Sequence, residues 1–410
     1  MIEQKKPELL IPSSSLEVLK VAIMYGADAV YIGGEMFGLR AKAKNFSMEE
    51  IKEGVEFAHQ YGKKVYVTAN IIAHNRDLDG VRSYFKELKK IQPDAIIIAD
   101  PAVFEIAGEV CPEIERHIST QANNVNYGTF NFWYKQGASR VVTGRELSIQ
   151  EIAEIRTHIP EELEIETFVH GAMCMSYSGR CLLSNYMTGR DANQGACTHP
   201  CRWKYYLVEE SRPGEYMPIE ENERGTYIFN SKDLCMIDHI PDIIHAGINS
   251  LKIEGRMKTA LYVATVTRTY RQAIDDYFTD PSLYEKNLSS YHEEIEKTTY
   301  RQFTTGFFYG PTDHSTQIYD NNTYVKEYTY LGIIRSQKEE GLYELEQRNK
   351  FSVGETIEIM KPTGENIQAT VKRIMDEDGQ DMESCPHPKQ KIYADFGLEL
   401  DTYDLLRKKD

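Results

Sequence analysis

Short apolar runs rich in β-branched residues recur along the first part of the chain, at residues 8–11, 29–32, 65–69, 95–99, 116–120, 140–143, 165–169 and 250–253. Each is nearly continuous in apolar character rather than alternating with polar positions. That is the pattern of parallel strands covered on both faces. The segments between them carry apolar residues at helical spacing. Ser15 precedes one such segment, which stops at Gly26, giving it a serine N-cap and a glycine stop. Ser47-Met-Glu-Glu50 and Ser148-Ile-Gln-Glu151 read as capping boxes at the heads of two more. Eight strands alternating with helices predict an α/β fold, a TIM-type (β/α)8 barrel. An open doubly wound sheet is the alternative, and no G-x-G-x-x-G follows the first strand to support it.

One connection departs from the pattern. About eighty residues separate the seventh and eighth runs, where a barrel loop usually has a few. An insertion at about residues 170–249 therefore leaves the barrel after strand seven, on the C-terminal face where active sites of this fold lie. Beyond residue 253 the spacing predicts helices over residues 259–278 and near 291–298. From about residue 324 short β-rich runs (328–334, 342–347, 355–360, 367–374 and 391–396) alternate with glycine-marked turns. The expected organisation is a barrel over residues 1–320, carrying the insertion, and a small antiparallel β domain over 321–410.

Composition changes this picture little. The chain of 410 residues has 47 Lys plus Arg against 63 Asp plus Glu, a formal charge of −16. No general attraction to nucleic acid follows, so any phosphate contact must come from a local basic patch. The first residues carry no apolar stretch with a cleavage site, and no apolar run is long enough to span a bilayer. The expected location is cytoplasmic, with no membrane partner.

Cysteine spacing changes it more. Four of the seven cysteines form Cys174-x6-Cys181-x15-Cys197-x3-Cys201, all within the insertion. In a reducing compartment such a cluster points to a metal or to redox chemistry rather than to disulfides. Thiolates at these spacings can close around one centre, and an iron–sulfur cluster is the first reading. Zinc, the alternative, favours tighter Cys-x2-Cys pairs, which are absent. Cys111, Cys235 and Cys385 have no neighbouring cysteine and read as buried thiols.

The stretch from Glu166 through His170, Gly171, Cys174, Gly179 and Cys181 to Ser184 resembles the signature of the collagenase-like peptidases of unknown type, family U32. Pro200-Cys201-Arg202-Trp203, Lys252-Ile-Glu254-Gly-Arg256 and Thr304-Thr-Gly306-Phe307 add shorter matches, and the likeness covers nearly the whole chain. The resemblance implies oxygen-independent hydroxylation with a cysteine-bound iron–sulfur cluster of the 4Fe–4S type. The branch most similar to this chain converts wobble uridine of transfer RNA to 5-hydroxyuridine and depends on prephenate, a small dicarboxylate. A paralogous family subunit is a further possible partner. The family name implies a hydrolase instead, a collagenase-like peptidase. No H-E-x-x-H or G-x-S-x-G is present, and only a Cys174/His170 pair offers a nucleophile and base.

Candidate site residues follow from strand ends. Arg40, Arg145 and Arg256 each follow a predicted strand; their planar forks suit carboxylates, or they are solvated surface arginines. Glu166 and Glu254 lie on or at the ends of strands seven and eight, and Lys252 shares the Glu254 face, so the latter two form either a structural pair or catalytic groups. His170 closes strand seven and is a proton donor or acceptor near neutrality, or a packed core histidine. His117, Ser119, Gln121, Asn123 and Asn124 form a polar set after strand five, suited to a base edge or to helix capping. For RNA the basic residues are Arg180, Arg190, Arg202 and Lys204, interleaved with Tyr186, Trp203, Tyr205 and Tyr206. Cations among aromatics suit phosphate contact and stacking on a flipped base, or clothe a packed insertion.

Overall fold

Strands β1 (Glu8–Pro12), β2 (Ala29–Gly33), β3 (Lys64–Ala69), β4 (Ala95–Ile98), β5 (Glu115–Ile118), β6 (Arg140–Val142), β7 (Glu164–Ala172) and β8 (Ser250–Ile253) pair in parallel, each with the next. The ring closes because β8 pairs with β7 on one side and with β1 on the other, through Leu251↔Thr167 and Leu9↔Leu251. The computed structural model describes residues 5–39, 45–174, 176–203, 206–207, 217–218, 231–312, 316 and 324–410. The predicted (β/α)8 barrel is therefore observed.

Helices α1 (Leu16–Met24), α2 (Met48–Gln60), α3 (Leu78–Ile91), α4 (Pro101–Val110), α5 (Tyr127–Lys135), α6 (Ile149–Thr157), α7 (Ile240–His245) and α8 (Ala260–Thr279) surround the strands, followed by α9 (Pro281–Glu296). The sequence caps form as expected. Ser15 accepts from Val18 N, and Ser47 and Ser148 make reciprocal capping boxes with Glu50 and Glu151. Helix α9 begins ten residues before the predicted 291, because Asp280 caps it and Pro281 supplies its first turn. Val30, Val67, Ile96, Ile98, Val141 and Ile165 pack outward against these helices. Leu10, Tyr31, Tyr66 and Ile97 fill the barrel interior.

The insertion is shorter than its sequence suggested. Strand β7 runs three residues past the predicted end, and its extension pairs antiparallel with a short strand, Asp233–Cys235. Phe303–Thr304 adds beside it in parallel. The barrel pattern then resumes with α7.

The C-terminal sheet contains β9 (Tyr328–Glu339), β10 (Leu342–Gln347), β11 (Thr356–Met360), β12 (Ile367–Thr370), β13 (Arg373–Met375), β14 (Asp381–Met382), β15 (Lys391–Asp395) and β16 (Leu405–Lys409). Their order is β12-β11-β16-β9-β10-β15-β13-β14, with antiparallel pairs throughout. The run predicted over 367–374 is two strands, and β14 and β16 add to the predicted set. The sheet docks on α1, α8 and α9. Tyr25, the C-cap of α1, donates to the carbonyls of Met360 and Tyr403, at 2.7 and 3.0 Å. Fully buried Arg407 of β16 bridges Glu358 in its own sheet and Glu294 on α9.

Candidate functional site

Polar groups in the barrel interior separate into two levels. The lower level is a closed ion network. Buried Arg140 donates to Glu8 at 2.6 Å, Glu164 at 2.5 Å and Glu166 at 3.1 Å, and Lys252 Nζ donates to Glu166 at 2.6 Å. Burial alone would raise the Glu8 carboxyl. Arg140, with hydrogen bonds from Tyr66 and Ser250, overrides this and brings it down to about 2. Burial likewise opposes the Glu166 charge, and Lys252 and Arg140 overcome it, so this carboxyl is also held low. His117 sits in the same layer against Tyr66, its pKa lowered by burial and by Arg140. Lys252 does not pair with Glu254, the partner its strand face suggested; its ion pair is with Glu166 across the β7–β8 register.

Above this layer a cavity of about 760 Å³ opens at the C-terminal mouth. Its lining brings together much of the predicted set: Arg145, Arg256, Lys252, Glu254, Gln121, Ser119, Trp203 and all four cysteines, Cys174, Cys181, Cys197 and Cys201. Arg145 lies 3.9 Å over the Phe168 ring, donates to the Ala172 carbonyl and stands 3.6 Å from Glu254. Arg256, 5% exposed, donates to Thr68 Oγ1 and Asn45 Oδ1. Lys252 Nζ lies 4.5 Å over the Tyr31 ring, so this lysine joins the cavity floor to the network below.

The cysteine loop is fastened to the strand-end loops. Ser178 N donates to Glu146 Oε1 at 2.6 Å, and Ile72 N donates to the Asn193 carbonyl at 3.1 Å. Gly179 has φ +72°, and a Cβ there would fall 2.0 Å from the Gln121 carbonyl oxygen, so only glycine lets the loop lie against the end of β5. Gly171, at φ +103°, plays the same part where β7 meets the Glu254 carbonyl. None of the four cysteines is in a disulfide, and all four line the cavity. This donor set suits an iron–sulfur cluster chemically. Among the described residues no three His, Cys, Asp or Glu side chains gather to ligate one ion.

Other predicted residues lie elsewhere. Glu166 is fully buried beneath the cavity and reaches it only through Lys252. His170 is also absent from the lining. The β7–β8 register slips between Lys252 and Ile253, and the His170 ring packs outside the barrel against Tyr262, Tyr270 and Phe303. Burial, assisted by Lys258, pushes it down to about 3, so it stays neutral at physiological pH. Its expected proton exchange near neutrality is corrected accordingly, and no Cys174–His170 pair forms. Asn123 caps a short helical turn after β5. Asn124 is a buried core amide that accepts from Trp133 Nε1 at 3.0 Å. Arg180, Arg190 and Tyr186 are exposed on the insertion. Arg40, Lys204, Tyr205 and the side chains of Arg202 and Tyr206 lie outside the described residues.

The sequence reading missed several members of the lining. Lys258 follows Arg256 by two residues, and the strand-end argument that found Arg256 extends to it. Tyr177 sits between two of the cysteines. Arg301 and Tyr324 come from beyond the last barrel helices and carried no local signal. Tyr177, Trp203, Met257 and Tyr324 are 65, 45, 62 and 49% exposed and form a wet, largely aromatic rim.

The protein is a TIM-type barrel whose mouth is lined by a cysteine loop, cations and an aromatic rim, followed by an antiparallel β domain. The chain belongs to peptidase family U32: residues 14–318 match that family and residues 326–407 match its C-terminal domain. It is 42% identical over 405 residues to tRNA hydroxylation protein P1 of Bacillus subtilis, covering 98% of this chain and 95% of that protein. It is 38% identical to tRNA hydroxylation protein P of Escherichia coli, over 98% of this chain and 97% of the relative. The 23S rRNA 5-hydroxycytidine C2501 synthase of Escherichia coli is 37% identical over 67% of this chain and 40% of its own length.

Proposed function

We propose that this chain is an RNA-modifying enzyme that hydroxylates a base of transfer RNA, with wobble uridine converted to 5-hydroxyuridine. The observation that carries the reading is the single cavity where four cysteines, five cations (Arg145, Lys252, Arg256, Lys258 and Arg301) and an aromatic rim converge. The names of the full-length relatives support the reaction class. Hydroxylation at C5 replaces C–H by C–O, a two-electron oxidation whose oxygen atom and electron acceptor come from outside the side chains of the cavity. Cys174, Cys181, Cys197 and Cys201 would hold an iron–sulfur cluster, which supplies electron transfer when bound.

The chain's own residues bind and orient. Tyr177, Trp203 and Tyr324 offer stacking faces to a base turned out of its strand, a geometry that single-stranded loops of RNA allow. Arg180, Arg190, Arg202 and Lys204 belong to the insertion that carries this rim, and phosphate contact is their proposed role. Arg145 and Arg256 bind a small dicarboxylate cosubstrate of the prephenate type, with Lys252 and Glu254 placed to move protons at the cavity floor. No described helix is long and apolar enough to cross a membrane.

The test is nucleoside mass spectrometry of bulk transfer RNA from a strain lacking the gene and any paralogue. Loss of 5-hydroxyuridine-derived nucleosides, restored by this gene alone, is the expected result. Unchanged nucleosides in that strain overturn the reading. For the cosubstrate, Arg256→Lys keeps the charge and loses the bidentate fork. The loss is about 1.5–3 kcal/mol, hence on the order of ten- to a hundred-fold in cosubstrate affinity, measured by titration. Equal affinities would confine Arg256 to holding Thr68 and Asn45.

A further inference from the structure

A second cavity, of about 830 Å³, lies between the barrel mouth and the C-terminal sheet. Met257 and Lys258 line both cavities, so the two adjoin across the single loop that follows β8. One wall is formed by the first turns of α1 and α8, and the other by residues of β9, β10 and the turn before β15. Lys258, Lys297, Lys326, Arg348 and Lys389 contribute five cations to its lining, against the three carboxylates Glu17, Glu50 and Glu346.

Those carboxylates are already engaged. Glu17 is bound by Arg335 and Arg348, Glu346 by the same two arginines, and Glu50 closes the α2 capping box. Arg335 lies behind the lining, so its charge and that of Arg348 cancel those of Glu17 and Glu346. Lys297 pairs behind the wall with Glu294 and Glu358, which also hold Arg407, and Lys326 pairs with Asp410, so the lysines reach the space partly neutralised, beside Lys389 and the positive ends of two helix dipoles. Tyr330, in the same wall, has a buried hydroxyl with no hydrogen-bond partner among the described residues. In a chain of formal charge −16, a positive cleft of this size is a local exception. It continues directly from the cavity proposed to receive the base.

We propose that this cleft binds the sugar–phosphate backbone of the RNA whose base enters the barrel mouth, so that the C-terminal domain is one wall of the RNA site. The inference rests on the RNA-hydroxylase reading. A nucleotide turned into the first cavity leaves its flanking phosphates at the rim, and the neighbouring cleft supplies cations and helix N-termini on that side. Recognition there is of charge and shape, not of sequence.

The test uses the full-length protein and fluorescently labelled transfer RNA, titrated by anisotropy over a range of salt concentrations. Lys326→Glu/Lys389→Glu changes two exposed lysines of the C-terminal wall, neither assigned a part in the chemistry. The expected result is an affinity at least ten-fold weaker, with a salt dependence flattened by about one to two units. Lys372→Glu, exposed on the same domain and outside the cleft, should leave both unchanged. If the double variant proves unfolded by circular dichroism, Lys389→Ala alone should still lower the slope by roughly 0.7–0.9. Wild-type affinity and slope in these variants would overturn the proposal while leaving the hydroxylase reading intact. A wild-type protein with no affinity for transfer RNA would overturn both.

Discussion

Replacing Cys181 by serine is expected to remove most of the bound iron and sulfide from protein purified without air, and to reduce transfer RNA hydroxylation at least a hundred-fold. Cys181 is one of four cysteines that line the cavity without a disulfide, in a loop fastened to the barrel through Ser178 and Asn193. A hydroxyl is a hard, weakly acidic donor and a poor substitute for thiolate on iron. Three remaining sulfurs leave one position of the cluster open. The barrel should survive, because its closure depends on β1, β7 and β8 and on none of these cysteines. Iron and sulfide assays, visible absorbance and circular dichroism on the same preparation separate the possibilities. Undiminished iron in a folded variant would dismiss the four-cysteine assignment. Zinc in place of iron in the wild type would replace the cofactor and the electron-transfer role with it. Loss of fold along with iron would make the cluster a structural element as well.

The barrel was legible because parallel strands buried on both faces leave an unmistakable trace. Ala95–Ile98 reads Ala-Ile-Ile-Ile, and no solvated strand would. Strand β16 was not legible for the converse reason. Leu-Leu-Arg-Lys-Lys looks like a charged tail, yet Arg407 is fully buried by Glu294 and Glu358, which lie far away in the sequence. Charge pairing across such distances leaves no local pattern. The site divides along similar lines. Arg145, Glu254, Arg256 and Gln121 were found because residues just past a barrel strand must face the mouth. His170 was misplaced by the same rule, whereas Glu166 lies on its predicted strand with Lys252 as the partner that a core-facing carboxylate needs. Strand β7 is nine residues long, so Glu166 falls below the mouth, and the register slip turns His170 away from the cavity. Helix α9 has its start written in Asp280-Pro281, an N-cap and a first-turn proline that lie ahead of the apolar spacing.

Glu166→Ala is expected to destabilise the protein by about 3–5 kcal/mol, because it strips a buried lysine of its counter-ion. Lys252 donates to Glu166 at 2.6 Å with both groups buried, and among the described residues no other carboxylate is within ion-pair distance of Lys252. Arg140 is less exposed to the loss, since Glu8 and Glu164 still hold it. The measurement is the shift in denaturant midpoint against the wild type, which avoids assuming a two-state transition in a chain with a barrel and a second domain. A paired replacement, Glu166→Leu with Lys252→Met, removes both charges and keeps the volume. It should recover most of the lost stability, as buried ion pairs exchanged for packed apolar groups commonly do. It should not recover hydroxylation, because the Lys252 ammonium that faces the cavity floor is gone. The two readouts therefore divide the pair's roles. A stable double variant without activity assigns Lys252 to the chemistry and Glu166 to positioning it. A stable double variant with full activity makes the pair part of the barrel's scaffold, and proton transfer then falls to Glu254, held 3.6 Å from Arg145.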